Sequence, residues 1–403
     1  MSNKVQTAVI FGTGPTALGA IWDAKYAGLD VILVTAKKND VAALSRALSI
    51  ATYVSKDSSE KQLETLLNLE CPANHTILWP VNDDQVELVS RHYDTLSEKF
   101  FIPLTSWQFL EHTVDKFKLS ELANQGGISA PWALEAADVI SGKQVPPRFP
   151  CLIKPKQTPK FFAHYHKKLH QAENLGQAIE LCEDAMRNDL EVMACEYIPG
   201  EATNDLKLMC LYRDGDGNTH CPLLVEKVRT YPLKFGLGAV IRSIPLDEDL
   251  LDASKKLLEV NQYRGFAMIE WKRDSETNTY TLIEINPRPV LFQNIFRYSG
   301  INYIKTIIED AEGREIKHQQ FITNRYWIQN FSDYRTFSQM RKLDGFRLWD
   351  FFWPYFKRPV YAYPFFLDSK PFLSLLKRRI GGMFKVRFDR HKSGTSGVAS
   401  ADS

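Results

Sequence analysis

Short apolar runs alternate with amphipathic stretches through the first hundred residues. The runs TAVIFG, VILVTA, ATYV and TILWPV lie at 7–12, 31–36, 51–54 and 76–81, and helix-like spacing fills 15–28 and 58–69 between them. Strands alternating with helices predict a parallel α/β sheet. A charged amphipathic helix is expected over 111–124, followed by QGGISAPW, whose glycines and proline mark a turn and a domain boundary. Beyond it the pattern becomes α+β. Strands are expected at CLIKPK, EVMACEYI, LKLMCLY, LLVEKV, AVIRSI, FAMIEWK and TYTLIEI, with helices over 175–188 and 248–262.

After about Gly313 the character changes again. Residues 331–392 hold 14 Lys and Arg against 5 Asp and Glu, a difference of +9, so the rest of the chain carries 2 − 9 = −7. Aromatics interleave with these cations, as in LWDFFWPYFKRPVYAYPFF. Rings this dense normally need burial, so the favoured reading is a helical extension whose aromatics fill a small core while its charges face water. The other reading is peripheral contact of 331–392 with an anionic membrane surface, or with a large anionic substrate, because Trp, Tyr and Lys/Arg together suit the water–bilayer interface. The last stretch, SGTSGVASADS at 393–403, is small and polar and reads as a disordered tail.

A chain of 403 residues has room for two or three domains. Its 50 basic and 48 acidic side chains nearly cancel, which predicts no nucleic-acid partner. No apolar run approaches the ~18–20 residues of a membrane span, and the N-terminus enters a strand without a signal-peptide layout. The expected location is the cytoplasm, with membrane association only through 331–392. The six cysteines include no CxxC pair and sit mostly in apolar surroundings, so reduced core thiols are expected rather than a zinc site or a disulfide framework.

The turn GTGPTALG, from Gly12 to Gly19, follows a strand and opens a helix, where backbone N–H groups can face an anion. Its spacing is GxGxxxxG rather than GxGxxG, and Lys37 and Lys38 follow the second strand where an NAD site would place an acid. Those lysines leave an NADP-dependent oxidoreductase as an alternative. A tight turn that needs glycine for packing explains the motif equally well.

FAMIEWKRDSETNTYTLIEINPR carries more information. Its two apolar strands flank the polar turn DSETN and should pair as an antiparallel hairpin. Alternation puts Phe266, Met268 and Glu270 on one face, and Leu282, Glu284 and Asn286 together on the partner. A turn centred near Thr277 sets Glu270 opposite Glu284, with cross-strand Cβ atoms ~5 Å apart. Each carboxylate ends an apolar run, and an unpaired buried carboxylate is costly. Such a pair suits Mg²⁺, or Mn²⁺, which takes a few carboxylates and completes its shell with phosphate oxygens and water. Arg288, on the parity of Asn286, can grip phosphate or carboxylate oxygens in a fork, or pair with one of those glutamates.

An acid followed by ExNxR, beside a lysine-bearing strand, resembles the ATP-grasp superfamily, and the likeness extends from about Thr7 to Gly313. The resemblance implies an N-terminal parallel-sheet pre-ATP-grasp domain at 1–110 and a two-subdomain ATP-grasp fold at 111–320; the helical basic-aromatic extension at 321–392 lies beyond it. VDKFKLSELANQGGISAPW resembles the opening of the grasp fold and would make Lys116 a phosphate contact; FPCLIKP would supply a second, Lys154. VMACEYIPGE resembles the adenine linker, with Glu196, Tyr197 and Ile198 around the base and Glu201 at the ribose hydroxyls. Glu270, Glu284 and Asn286 fall on the Mg²⁺ ligands, and Arg288 and Lys154 on the residues that stabilise the transferred phosphoryl group. EYIPG, VRTYPLKFGLG and LIEINPRP look most like the carboxylate–amine ligases related to D-aspartate ligase.

One departure stands out. Such proteins usually carry a glycine-rich loop over the phosphates after the second lysine, whereas KQTPKFFAHYHKKLHQ has none. Lys160, Lys167 or Lys168 could cover the phosphates instead, and His164, His166 and His170 read as solvated loop residues. The implied reaction activates a carboxylate with ATP as an acyl phosphate and couples it to an amine, or to a thiol. Substrates could be small or linked to a nucleotide or lipid carrier. Lys227, Arg229, Gly236 and Gly238 could position the acyl group or phosphates, Arg229 as a substrate contact. Asp83 and Asp84, after a strand end, could recognise the amine, although Asp at a helix start is also ordinary capping. A non-catalytic nucleotide-binding relic is the remaining alternative.

Overall fold

Strands β1 (Thr7–Phe11), β2 (Asp30–Thr35), β3 (Ile50–Tyr53) and β4 (Thr76–Pro80) form a parallel sheet in the order β3-β2-β1-β4. β1 and β4 are buried along their whole length, which is why they read as unbroken apolar runs. The computed structural model describes residues 4–379 apart from 57, 74, 157, 202, 234, 235 and 365. The tail expected at 393–403 lies outside the described residues.

A small antiparallel sheet follows, β5 (Ala133–Glu135), β6 (Cys151–Pro155), β7 (His170–Ala172) and β8 (Val192–Glu196), ordered β5-β8-β6-β7. The larger sheet is built from β9 (Leu206–Arg213), β10 (Thr219–Tyr231), β11 (Leu237–Ile244), β12 (Gly265–Arg273), β13 (Tyr280–Asn286), β14 (Tyr326–Ile328) and β15 (Val360–Tyr361). Its order is β13-β12-β9-β10-β11-β14-β15.

Buried side chains divide unevenly among these sheets. The two faces of the N-terminal sheet share cores with the two faces of the large one: Ile10 and Trp79 cluster with Phe266 and Trp327, while Val9 and Leu78 cluster with Ile269 and Trp271. The small sheet keeps a core of its own, in which Ile153, Phe161, Val139, Cys182 and Ala194 meet. An element with a separate core can move as a unit against a scaffold held by shared cores. Among the described residues no helix is long and apolar enough to cross a membrane.

Three local readings change. The helix expected over 111–124 is two, Trp107–Val114 and Lys116–Gln125, because Asp115 takes an extended conformation and its carboxylate caps Phe117 N and Lys118 N at 2.8 and 3.1 Å. The stretch after β6 forms the helix Thr158–Tyr165, anchored by buried Phe161. In β13, a bulge beside Glu270 sets Leu282 opposite Trp271, so Leu282 packs into the core of Trp271 and Ile285 rather than sharing the face of Glu284 and Asn286.

The C-terminal region is only partly helical. Helices Asn330–Met340 and Leu348–Phe356 are present, but β14 and β15 add two strands to the large sheet, with Trp327 fully buried. A three-residue and a two-residue strand are too short to show an alternating pattern in sequence.

Candidate active site

The β12–β13 ladder places Glu270 directly opposite Glu284 and Met268 opposite Asn286. Asn286 Nδ2 donates to Glu284 Oε1 at 2.8 Å, which fixes the amide beside the carboxylates. Both glutamates are half-buried. Burial raises the Glu270 carboxyl above its ordinary value; Lys227 opposes that rise, Glu284 adds to it, and Lys168 opposes it more weakly. Lys227 Nζ stands 3.8 Å from Glu270 Oε2. A half-buried carboxylate that faces a second carboxylate across the ladder is stabilised by a cation placed between them. Among the described residues no three His, Cys, Asp or Glu side chains converge on one point. The donor set of two carboxylates and an amide oxygen therefore suits a hard ion that finishes its shell with phosphate and water.

Lysines from the small sheet and its surroundings face this pair. Lys154, on β6, is half-buried; burial lowers its pKa, Lys116 reinforces the fall, and Cys195, Glu284 and Glu270 oppose it. The same two lysines act on the buried thiol of Cys195, so Lys116 at the start of its helix and Lys154 flank one point of β8. Lys168, just beyond Thr158–Tyr165, is also half-buried; burial lowers its pKa with help from Lys227, against Glu270 and Glu284. Lys160 and Lys167 are exposed. Lys154, Lys168 and Lys227 thus lie within electrostatic reach of Glu270 and Glu284, with Lys116 near Lys154, an arrangement fit for a polyphosphate with its counter-ion.

Glu196 ends β8, its N–H donating to Trp132 O at 3.0 Å and its carboxylate receiving Trp132 N at 3.4 Å. Ile198 is buried beyond it and Tyr197 half-buried. Glu201 is exposed, and Asn204 Nδ2 donates to its Oε2 at 2.8 Å. Gly200 precedes it with φ +117°, and a Cβ there would lie 2.6 Å from Asp205 Oδ2, so this turn needs glycine.

Arg288 does not pair with either glutamate. Its Nε and Nη2 donate to the two oxygens of Asp83 at 2.5 and 3.2 Å, and Asp83 begins the helix Asp83–Arg91. Asp84 is exposed on the same first turn, where an acid complements the helix dipole. Arg229, expected as a substrate contact, is buried and points to a partner inside the protein. A register shift between Lys227 and Arg229 breaks the alternation of β10. The Arg229 guanidinium is buried in a fork with Asp333, 2.8 Å on each arm, and stacks 4.4 Å from the ring of Phe351.

No family model matches the chain. D-aspartate ligase from Enterococcus faecium (strain Aus0004) is 22% identical over 284 residues, covering 66% of this chain and 67% of that protein. Among solved structures, biotin carboxylase from Campylobacter jejuni in complex with an ATP analogue aligns with TM-score 0.62 at 18% identity, over 80% of this chain and 75% of that one. L-amino acid ligase from Bacillus licheniformis aligns with TM-score 0.58 at 14% identity, over 77% and 74%. The chain has the ATP-grasp fold.

In the N-terminal glycine turn two backbone donors are already engaged within the protein. Thr13 N donates to Asn82 Oδ1 at 2.7 Å, and Gly14 N to both oxygens of buried Asp40 at 3.0 and 2.9 Å. A Cβ on Gly12 would sit 2.4 Å from Asn82 Oδ1, so close packing explains that glycine. Two of the backbone donors that the NADP alternative would use are thereby taken. Lys272 is a residue the sequence reading passed over: its Nζ donates to Gly200 O at 2.7 Å, within reach of Lys227, Asp205 and Glu201. Its position two residues past Glu270 was the available signal.

Proposed function

We propose that the chain is an ATP-dependent carboxylate–amine ligase. The observation that carries this reading is the facing pair Glu270 and Glu284 on the large sheet, within electrostatic reach of Lys154 on the small sheet and of Lys168. D-aspartate ligase and L-amino acid ligase, both ligases by name, support amide formation as the reaction class. In this reading residues 1–110 are the pre-ATP-grasp domain, and 111–320 with β14 and β15 are the grasp domain.

Glu270, Glu284 and Asn286 would hold Mg²⁺. When bound, the ion supplies positive charge beside the phosphate oxygens. Lys116, Lys154 and Lys168 bind and orient the triphosphate, and the β8 linker at Glu196, Tyr197 and Ile198 receives the adenine, with Glu201 toward the ribose. A substrate carboxylate oxygen attacks the γ-phosphorus and ADP leaves; the amine then attacks the acyl carbon and phosphate leaves. Phosphoryl transfer of this kind rests on positioning and charge neutralisation, so no nucleophilic side chain is required. Arg288 stabilises the transferred group, and Asp83, beside it, is placed to meet the cationic amine. A need for ATP and a full set of free thiols fit a cytoplasmic setting.

The test is an ADP-release screen of amino acids and small carboxylic acids paired with amines and thiols, with mass detection of the product. ADP, phosphate and an amide in equal amounts are the expected result. Binding of MgATP without ADP from any pair would identify a non-catalytic relic, and stabilisation by NADPH but not MgATP would return the oxidoreductase reading.

A further inference from the structure

The helix Leu348–Phe356, LWDFFWPYF, contains a single charged residue, Asp350, and is apolar on both sides. One side faces the protein. Phe351 is buried, its ring 4.8 Å from Phe337 and over Arg229, while Tyr355 Oη donates to Asp333 Oδ2 at 2.7 Å. The other side faces water. Leu348, Trp349, Phe352, Trp353 and Phe356 are all exposed, Trp349 by 60% and Phe356 by 63%. Their spacing of one, three and four residues gathers them on one face. Trp349 stacks on Phe356 at 5.2 Å and lies 5.9 Å from Trp353, so the rings form one continuous patch.

A helix apolar all round is normally buried on both sides. Five large side chains left in water on a nine-residue helix need a cover, and the charges around them indicate its chemistry. Arg341, Lys342 and Arg347 precede the helix and Lys357 and Arg358 follow it, five cations against Asp344 and Asp350. Arg347 spends its charge on Asp350 at 2.7 and 2.9 Å, and Lys357 lies 4.1 Å above the ring of Trp353, which leaves cations at both ends of the patch. Over 331–379 ten Lys and Arg stand against four Asp, an excess of positive charge that suits an extended anionic surface. Tryptophan with flanking Lys and Arg is the composition that settles at the headgroup level of a bilayer.

We propose that this face is a peripheral anchor for an anionic lipid bilayer, with Trp349, Trp353 and Phe356 at the acyl boundary and Arg341, Lys342, Lys357 and Arg358 on the headgroup phosphates. The anchor is tied to the rest of the fold through the buried Arg229–Asp333 pair against which Phe351 and Tyr355 pack, so it is rigidly held. It stands independently of the ligase reading, because it uses none of the residues around Glu270.

The test is flotation of the full chain with phosphatidylcholine vesicles, with and without phosphatidylglycerol, at low and high salt. A Trp349→Ser, Trp353→Ser, Phe356→Ser variant and a Lys357→Glu, Arg358→Glu variant run alongside, each checked for an unchanged thermal midpoint. The expected result is binding to the anionic vesicles only, weakened by salt, with partitioning reduced by about tenfold or more in both variants. Failure of the full chain to float with anionic vesicles at low salt would overturn the proposal, as would a triple variant that floats like the wild type. Sedimentation of the lipid-free chain as a dimer that the triple variant renders monomeric would assign the face to a second copy instead.

Discussion

Arg288 holds both carboxylate oxygens of Asp83 and so ties the loop after β13 to the start of the helix Asp83–Arg91, across 205 positions of sequence. The pair bridges the large sheet and the N-terminal sheet at the edge of the carboxylate site. Asp83 is 76% exposed, and an exposed ion pair contributes only ~0–1 kcal/mol. A contact this weak holds the guanidinium in place yet yields it to a more strongly charged phosphoryl group.

Arg288→Ala is therefore expected to slow ADP formation by about 10²–10³-fold, as for loss of one preorganised donor. Asp83→Ala should leave the rate of phosphoryl transfer within about tenfold and act mainly on the KM of the amine. Steady-state ADP release at varied amine concentration separates the two effects. Equal losses of kcat in both variants would mean that the pair works as one structural clasp.

Lys168 is half-buried within electrostatic range of the carboxylates, whereas Lys160 is exposed. Lys168→Ala should raise the KM for ATP by about tenfold, the worth of one charge-assisted contact, and Lys160→Ala should leave it unchanged. The same ATP titration checks both, and a reversed order would move the covering role to the helix Thr158–Tyr165 itself.

Arg229 and Asp333 form a buried pair, and removing one partner strands a charge in the interior. Arg229→Ala should cost roughly 3–5 kcal/mol of stability, read from urea unfolding. Normal stability with a raised substrate KM would restore Arg229 to the substrate site.

Glu226 accepts hydrogen bonds from Lys207 at 2.6 Å and from Arg242, linking β9, β10 and β11. Burial, the largest influence, pushes its carboxyl up, but those hydrogen bonds and charges together carry it below its ordinary 4.5. A carboxyl with a depressed folded-state value contributes stability that is fully present above the unfolded value and lost as pH falls through the folded one. Glu226→Gln should therefore lose stability at neutral pH and flatten the acid limb of the stability curve below about pH 4.5. Denaturant midpoints across that range provide the check.

Hairpin, helices and parallel sheet were legible because their periods are local. Glu270 and Glu284 face each other because alternation and turn length suffice to set a register, and Lys154 follows from its place on a short apolar strand. What escaped was whatever a single inserted residue or a distant partner decides. A register shift redirects Arg229 to Asp333, 104 positions away, and a bulge sends Leu282 to the other core. Asp83 captures Arg288 through a contact that no local pattern encodes. The aromatic C-terminus divided: Phe351 and Phe337 went inward as density suggested, while Trp349 and Phe356 stayed in water because one short helix cannot bury both its faces on one neighbour.

Calorimetric titration of MgATP into the wild-type chain and into Glu284→Gln tests the carboxylate site most directly. Binding should weaken by about tenfold or more in the variant and on chelation of Mg²⁺, with the urea midpoint unchanged. Equal affinity in both chains, with and without the ion, would contradict the assignment of Glu270, Glu284 and Asn286 to the metal and with it the proposed activity.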